Sequence, residues 1–531
     1  MSSLNLVRDA WIPVQSPGEP IRMFRPAEIA ADLPANSIAW PRADFRVSQL
    51  EFLIGLLATC CAPDEDQWES WWQTPPDVAT LDAAFAPFAH AFNLDGDGPR
   101  FMQDFETLEA GVESIEKLLI EAPGEQGLKK NTDLLVKRGR ANRLSRSTAA
   151  IALYTLQSWA PAGGAGNRVG LRGGGPLLTL VLPERKTSLW HLLWANVPCG
   201  KVPASTDLPR VFPWLAPTLG SQNGYKVTPA NAHSAQVWWG VPRRIRLIFE
   251  KGEALCDLAA MSDHVTATGW QQRPFGPNYD AWSRAHPLTP YYRLKPSDPE
   301  WLPVHPQPGG IGYRHWLGLV LASPDGMRVP AACITDAQSR GIGHHRLLAA
   351  GFDMDNMKAR GFVESEIPVP GATDPKIRLR IESLATSMVR SAETAASITR
   401  AAIRNALFSG GANVKADWEI LNLAREKIWE ETETSFFGTL SEPQAHLATD
   451  ERPHPEHHFW LRVLRRAAID IFDELAPLAP DMSAQAARVS NARRGLFFAF
   501  AGYGSQGQDL YKFLNIPPPE KGTKAKARKA T

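Results

Sequence analysis

Residues 158–180, from Ser158 to Leu180, read SWAPAGGAGNRVGLRGGGPLLTL. Seven of the thirteen residues from Gly163 to Gly175 are glycine, and Arg168 and Arg172 carry the only charges. Ala149–Leu156 ahead of them is an apolar, helix-like run, and Leu177–Leu182 behind them reads as a strand. Glycine lacks a Cβ, so its backbone can turn to positive φ and another molecule can come close. Bare N–H groups flanked by guanidinium groups suit phosphate or base edges. Two nucleotide loops fail the test. A Walker A loop ends in Gly-Lys followed by Ser or Thr, and no lysine is present. A Rossmann loop runs from strand to helix, whereas this context is helix–loop–strand, and Gly164-Ala165-Gly166 followed by Gly170 misses the spacing.

Outward from that stretch, composition sets bounds. A chain of 531 residues is too long for one core, and about two to four domains are expected. Hydrophobic content of 44% and charged content of 21% are globular values. A net charge of +1 excludes a histone-like basic coat, so nucleic-acid contacts must come from local patches. Cys60, Cys61, Cys199, Cys256 and Cys333 are scattered without a CxxC. That usage fits a reduced cytoplasmic interior and not a cysteine zinc site. The opening MSSLNLVRDAWIPV lacks a basic-then-apolar leader, and no run of about 18 apolar residues follows, so neither signal peptide nor membrane span is expected.

Local patterns predict the first elements. Leu4–Val14 reads as a strand with a turn at Asp9-Ala10. Arg46–Cys61 reads as a helix apolar nearly all round, hence buried. Trp68, Trp71 and Trp72 on the helix-like segment Asp64–Gln73 read as packing rather than base stacking. The loop with Asp95, Asp97 and Gly98 lacks the later ligands of a calcium loop. Trp190–Trp194, Trp214 and Val237–Trp239 are short apolar pieces of one α/β core, and Ile245–Phe249 alternates as a half-buried strand does.

The densest charge lies in Lys129–Arg146, KKNTDLLVKRGRANRLSR. Lys129, Lys130, Lys137, Arg138, Arg140, Arg143 and Arg146 face the single acid Asp133. Weak apolar periodicity makes this a loop, and its charge makes it a phosphate-binding candidate.

Beyond about Asp374 the pattern becomes helical. Ile381, Leu384, Met388, Ala395, Ile398 and Ala402 form a stripe within Ile381–Phe408. Trp418–Glu433, Phe459–Leu475 and Ser483–Phe500 complete four helices, expected as an up-and-down bundle. The fold class is therefore α+β: a mixed α/β domain over 1–375, a four-helix bundle over 376–515, and a disordered basic tail over 516–531.

Three stretches, in the same order, carry a resemblance: Leu6–Val14 (LVRDAWIPV), Pro99–Asp104 (PRFMQD), and Thr148–Tyr154 leading into Gly170–Pro176 (GLRGGGP). Together they resemble the large subunit (CasA) of the type I-E CRISPR surveillance complex, Cascade. The resemblance implies a binding subunit without catalytic residues, cofactor or metal. Its implied partners are CRISPR RNA, double-stranded target DNA, the backbone, small and 5′-handle-binding Cascade subunits, and a recruited helicase–nuclease, with no membrane. It implies inspection of the protospacer-adjacent motif (PAM) from the minor groove and opening of the duplex, with sequence readout left to the guide.

Carried over, the family's glycine loop falls on Ala162, Gly163, Gly164, Ala165 and Gly166, two alanines replacing glycines. Gly170–Pro176, with Arg172, becomes the turn that positions it. The family's lysine finger falls on Gln271, Gln272 and Arg273, a hairpin implied to probe the minor groove, with Arg273 the nearest cation and Gln271 or Gln272 able to bond a base edge; the plainer alternative is a polar hairpin tip. The duplex-splitting wedge falls on Gly351–Lys358, with Asp355, Asn356, Met357 and Lys358 at its point. The basic loop, with Leu134 where a family aromatic stacks, and with Arg168 nearby, is implied to touch the RNA handle and phosphates. Ser145 and Thr148 fall at or beside the first two of four zinc cysteines found in some members, and the second pair is absent, so no structural zinc is expected. The rival reading is a metal-dependent nuclease using His344-His345 and His454, His457 and His458, with Asp450 and Glu456 nearby; these follow no known ligand spacing. A scaffold that bridges subunits without touching DNA is the third.

Overall fold

The apolar run around Leu50 forms the helix α1 (Ala43–Cys60), buried on nearly every face. The structure, a computed structural model, describes residues 3–122, 141–160, 170–307, 309–355, 358–372, 374–408, 418–441, 455–477 and 483–519. The chain divides into two units: Met1–Ile311 with Gly318–Val369, and Gly312–Leu317 with Pro370–Thr531.

In the first unit the three stretches that carry the resemblance converge on one ring of α1. Phe52 meets Trp11, Phe101 and Tyr154 edge-on, at centroid distances of 5.4, 5.9 and 5.5 Å. Phe92 and Trp239 close the cage. Edge-to-face rings are the preferred aromatic geometry, and each contact adds roughly 0.5–1.5 kcal/mol beyond its burial. The tryptophans of α2 (Glu65–Gln73) pack as the sequence predicts: Trp68 and Trp194, the latter on a helix over Leu189–Trp194, exchange indole N–H bonds to each other's carbonyls.

The opening segment differs from its expectation. Only Ile12–Val14 (β1) is a strand, paired with Arg22–Phe24 (β2). Asn5 Oδ1 accepts the N–H groups of Val7 and Arg8, an Asx turn that bends the chain before a strand can extend.

Two antiparallel systems frame the site. Glu113–Ser114 (β3) and Leu144–Ser145 (β4) flank the long hairpin of β6 (Arg244–Leu255) and β7 (Ser262–Arg273). Leu178–Pro183 (β5) pairs with β11 (His345–Asp355), and β11 with β12 (Lys358–Val369). Between them the numbering includes the short strands β8 (Tyr291–Tyr292), β9 (Leu302–Pro303) and β10 (Arg328–Val329). The helix α3 (Arg146–Trp159) leads from β4 to the glycine stretch; its N-cap, Ser145, accepts the N–H of Thr148.

The second unit contains the four expected helices, α4 (Pro375–Leu407), α5 (Trp418–Ser441), α6 (Pro455–Leu475) and α7 (Ser483–Phe500). Every residue of the predicted stripe on α4 is buried. Two features escaped the sequence. A fifth helix, α8 (Gly504–Phe513), packs on α4 and α7, and Ile516, assigned by sequence to the tail, is buried behind it. Gly312–Leu317 also joins this unit: Tyr313 stacks on Phe436 at 4.3 Å, and its hydroxyl meets Thr432 Oγ1 at 2.6 Å.

Candidate nucleic-acid interface

Much of the expected interface falls outside the described residues. Ala162, Gly163, Gly164, Ala165, Gly166 and Arg168 do, as do Lys129, Lys130, Leu134, Lys137, Arg138, Arg140, Asn356 and Met357. What the structure describes is how the segments bearing them are held.

The shoulders of the glycine stretch are built around a buried carboxylate. Glu51 of α1 is 1% exposed along its side chain and lies 2.6 Å from Nη2 of Arg172. Glu51 Oε2 accepts the indole N–H of Trp159, the last residue of α3. Arg172 also donates to the carbonyl of Ser158, at 3.3 Å, and to Thr289 Oγ1, at 3.4 Å. Burial works against the charge on Glu51, but Arg172, His286 and the Trp159 donor outweigh it and hold its carboxyl below the usual range. His286 is held down at about 4, first by burial and then by Arg172. The Leu288 N–H donates to His286 Nδ1, which leaves the proton on Nε2, 3.2 Å from Glu51 Oε1. That contact is off the line of a hydrogen bond, so it acts as a dipole beside the charge.

The turn at Gly170–Pro176 needs its glycines. Gly173 and Gly175 have φ of +68° and +71°, which β-carbons disfavour. A Cβ on Gly175 would lie 2.5 Å from Met354 Cγ and 3.2 Å from the Phe352 carbonyl oxygen. The turn is thereby seated on the stem of the β11–β12 hairpin, the segment on which the sequence places the expected wedge. In that stem Asp355 pairs with Lys358, and the register shifts between Asp353 and Met354. Asp353 and Arg360 form a two-bond ion pair below the tip.

Gln271–Arg273 corrects its expectation. These residues are not a hairpin tip: they form the open end of the β6–β7 ladder, paired with Arg246, Ile245 and Arg244. The tip is at the other end, where the Cys256 N–H bonds the Met261 carbonyl. Gln271 donates to the Ala110 carbonyl at 2.7 Å, and Arg273 to that of Glu109 at 3.0 Å. Both side chains are therefore committed to the neighbouring segment, and Gln272 stands on the opposite face of the strand.

The C-terminal turn of α3 links these parts. Gln157 Nε2 donates to the Arg243 carbonyl, at the start of the open end of β6. Two residues on, Trp159 lies flat on Phe362 of β12.

The end of the basic segment is divided. Arg143 is exposed, and its N–H is anchored by Asp257. Arg146 instead begins α3 and forms ion pairs with Asp263 and Asp95. One cysteine lies where the sequence showed none. Cys256 Sγ is 3.4 Å from Thr148 Oγ1, and Thr148 Oγ1 is 2.9 Å from Ser145 Oγ. Fold contact alone places this thiol there, since Cys256 follows Thr148 at a separation of 108 residues.

The histidines of the rival reading fall in the two different units. His345 is buried, with Nδ1 at 2.8 Å from the Gly343 carbonyl, and burial pushes its pKa down. His457 is buried on α6 in the other unit. Among the described residues no three His, Cys, Asp or Glu side chains are grouped to hold a metal. His454 and Asp450 lie outside those residues. No helix among them is long and apolar enough to cross a membrane.

A fold so arranged is that of a mixed α/β domain followed by helices, and comparison with known proteins assigns it. Residues 5–471 match the family of CRISPR-associated protein Cse1, and the chain belongs to that family. Cse1 from Acidimicrobium ferrooxidans has the same fold, with a TM-score of 0.65 at 17% identity over 97% of this chain and 99% of that one. Thermus thermophilus CasA (Cse1) gives 0.63 at 17% identity, over 93% and 99%. A chain of a CRISPR RNA-guided surveillance complex gives 0.55 at 16% identity, over 93% and 99%. The resemblance read from Leu6–Val14, Pro99–Asp104 and Thr148–Pro176 is borne out, as is the fold class.

Proposed function

We propose that this chain is the PAM-inspecting large subunit of a type I-E CRISPR RNA-guided surveillance complex, acting in the cytoplasm and performing no catalysis itself. Membership of the Cse1 family supports a Cascade large subunit. The observation that best supports DNA inspection is the junction at the end of α3. Gln157 there holds Arg243, just ahead of the β6 end that pairs with Gln272, and Trp159 and Gly175 hold the β11–β12 hairpin against the Gly170–Pro176 turn.

In this reading the basic residues of 129–143 and Arg168 bind phosphates of the RNA handle and the DNA. Backbone around Ala162–Gly166, with Gln272, meets the minor groove. Asp355–Lys358 enters the duplex so that guide pairing can start. Minor-groove edges separate A·T from G·C but little more, so the PAM should be tolerant. The remaining Cascade subunits surround the chain, and one of its surfaces receives the helicase–nuclease.

The test uses the assembled complex with PAM-bearing and PAM-scrambled duplexes as salt is raised. The PAM duplex should bind more tightly, and neutralising Arg138, Arg140 and Arg168 together should weaken both and flatten the salt dependence. Unchanged affinity in that triple variant would leave only the scaffold reading. Incubation with Mg²⁺ or Mn²⁺ and labelled duplex should give no cleavage; cutting lost on changing His344 or His457 would establish the nuclease instead.

A further inference from the structure

The charge of Glu51 lies on the buried helix α1, 121 residues before its partner Arg172. A buried ion pair is a weak source of stability compared with apolar packing, but it is demanding about geometry. The two side chains that donate to this carboxylate flank residues 161–169, Trp159 on one side and Arg172 on the other, and Arg172 also donates back to the Ser158 carbonyl. The same two shoulders touch the wedge hairpin. Trp159 stacks on Phe362, and the Gly175 N–H bonds the Trp159 carbonyl at 3.0 Å, with Gly175 seated against Met354 and Phe352. The seat is reciprocal, since a Cβ on Gly351 would lie 2.7 Å from the Pro176 carbonyl oxygen. His305 Nδ1, 2.9 Å from the Gly175 carbonyl oxygen, fastens the turn from outside.

We infer that Glu51 is a positioning residue for DNA inspection: it clamps the two shoulders that flank residues 161–169 and, through Trp159 and Gly175, sets those shoulders in fixed register with the stem of the β11–β12 hairpin. Groove contact and duplex entry then occur together, because neither shoulder can shift without displacing the hairpin stem. This inference rests on the functional reading above and adds to it a residue that touches neither DNA nor RNA.

The experiment compares wild-type and Glu51→Gln subunits in the fully assembled, RNA-loaded complex. Three targets are used: a paired PAM duplex, a PAM-scrambled duplex, and a PAM duplex whose first target base pairs are mismatched open. The Gln variant should bind the paired PAM duplex at least about tenfold more weakly than wild type, while its affinity for the pre-opened target stays within about twofold. Equal losses on both targets, or no loss on the paired one, would overturn the inference. If the Gln variant does not assemble, Phe362→Leu decides the matter. It removes the stack on Trp159 from a half-buried position, and an unaltered ratio between paired and pre-opened targets would overturn the inference. Failure of wild type to distinguish PAM from scrambled duplex would overturn the functional reading itself.

Discussion

The indole of Trp159 lies flat on the ring of Phe362, with centroids 6.0 Å apart and planes 7° from parallel, while its N–H is held by Glu51. One side chain thus serves a helix end, a buried charge and a hairpin stem. Two substitutions separate these duties. Trp159→Phe keeps a ring for the stack but leaves Glu51 Oε2 without its donor, and should cost about 1–3 kcal/mol. Trp159→Ala also empties a fully buried site and should cost about 3–5 kcal/mol. Urea unfolding measures both, and a Phe variant as stable as wild type would show that the hydrogen bond contributes nothing.

Gly173 and Gly175 share a backbone conformation but not their surroundings. Gly173→Ala should cost only the left-handed backbone term, about 1–2 kcal/mol, because its nearest neighbour, Pro303 Cγ, is 3.6 Å from the new Cβ. Gly175→Ala should lower the melting temperature further, because its Cβ meets Met354 Cγ at 2.5 Å. Adding Met354→Ala should recover part of the difference, a coupling that a double-mutant cycle reads directly.

Arg143 and Arg146, three residues apart, should behave oppositely. Arg146→Ala breaks ion pairs to Asp263 and Asp95 at the start of α3 and should destabilise the protein. Arg143→Ala alters an exposed side chain and should leave melting unchanged. In the assembled complex it should instead weaken DNA or RNA binding and reduce the salt slope by roughly one unit, as loss of one phosphate contact does. Equal melting of the two variants would contradict this division.

His286 should make the fold acid-sensitive. Its pKa is held at about 4, below that of an unfolded histidine at about 6.5, so between these values the unfolded chain takes up a proton and the folded chain does not. Stability therefore falls as pH drops from about 6.5 to about 4, by up to about 3 kcal/mol from this residue. Glu51, held below the ordinary carboxylate range, loses its contribution as pH falls further, through its folded value. Melting measured from pH 7 to pH 4 should show the decline, and His286→Gln should make it shallower.

Periodicity made much of this fold legible. The apolar run of α1, the strand after the glycines and the stripe of α4 each follow from residues a few positions apart. The tryptophan pairs were legible as packing for the same reason. Gln271–Arg273 was not, because strand register is set by the partner strand. The helix α8 escaped because Gly504 and Gly507 depress helix propensity, and burial of Leu510 outweighs that cost.

The sequence by itself determined the class of fold, the family and the segments that bear the candidate site, since local pattern and ordered motifs carry that information. Only the tertiary structure decided what holds those segments. Glu51 reads as one acid in a buried helix until Arg172, Trp159 and His286 arrive from distant parts of the chain. The glycines at 173 and 175 look alike until Met354 closes on one of them. Burial of a charge and the room for a Cβ are set by neighbours in space, and a linear pattern does not name those neighbours.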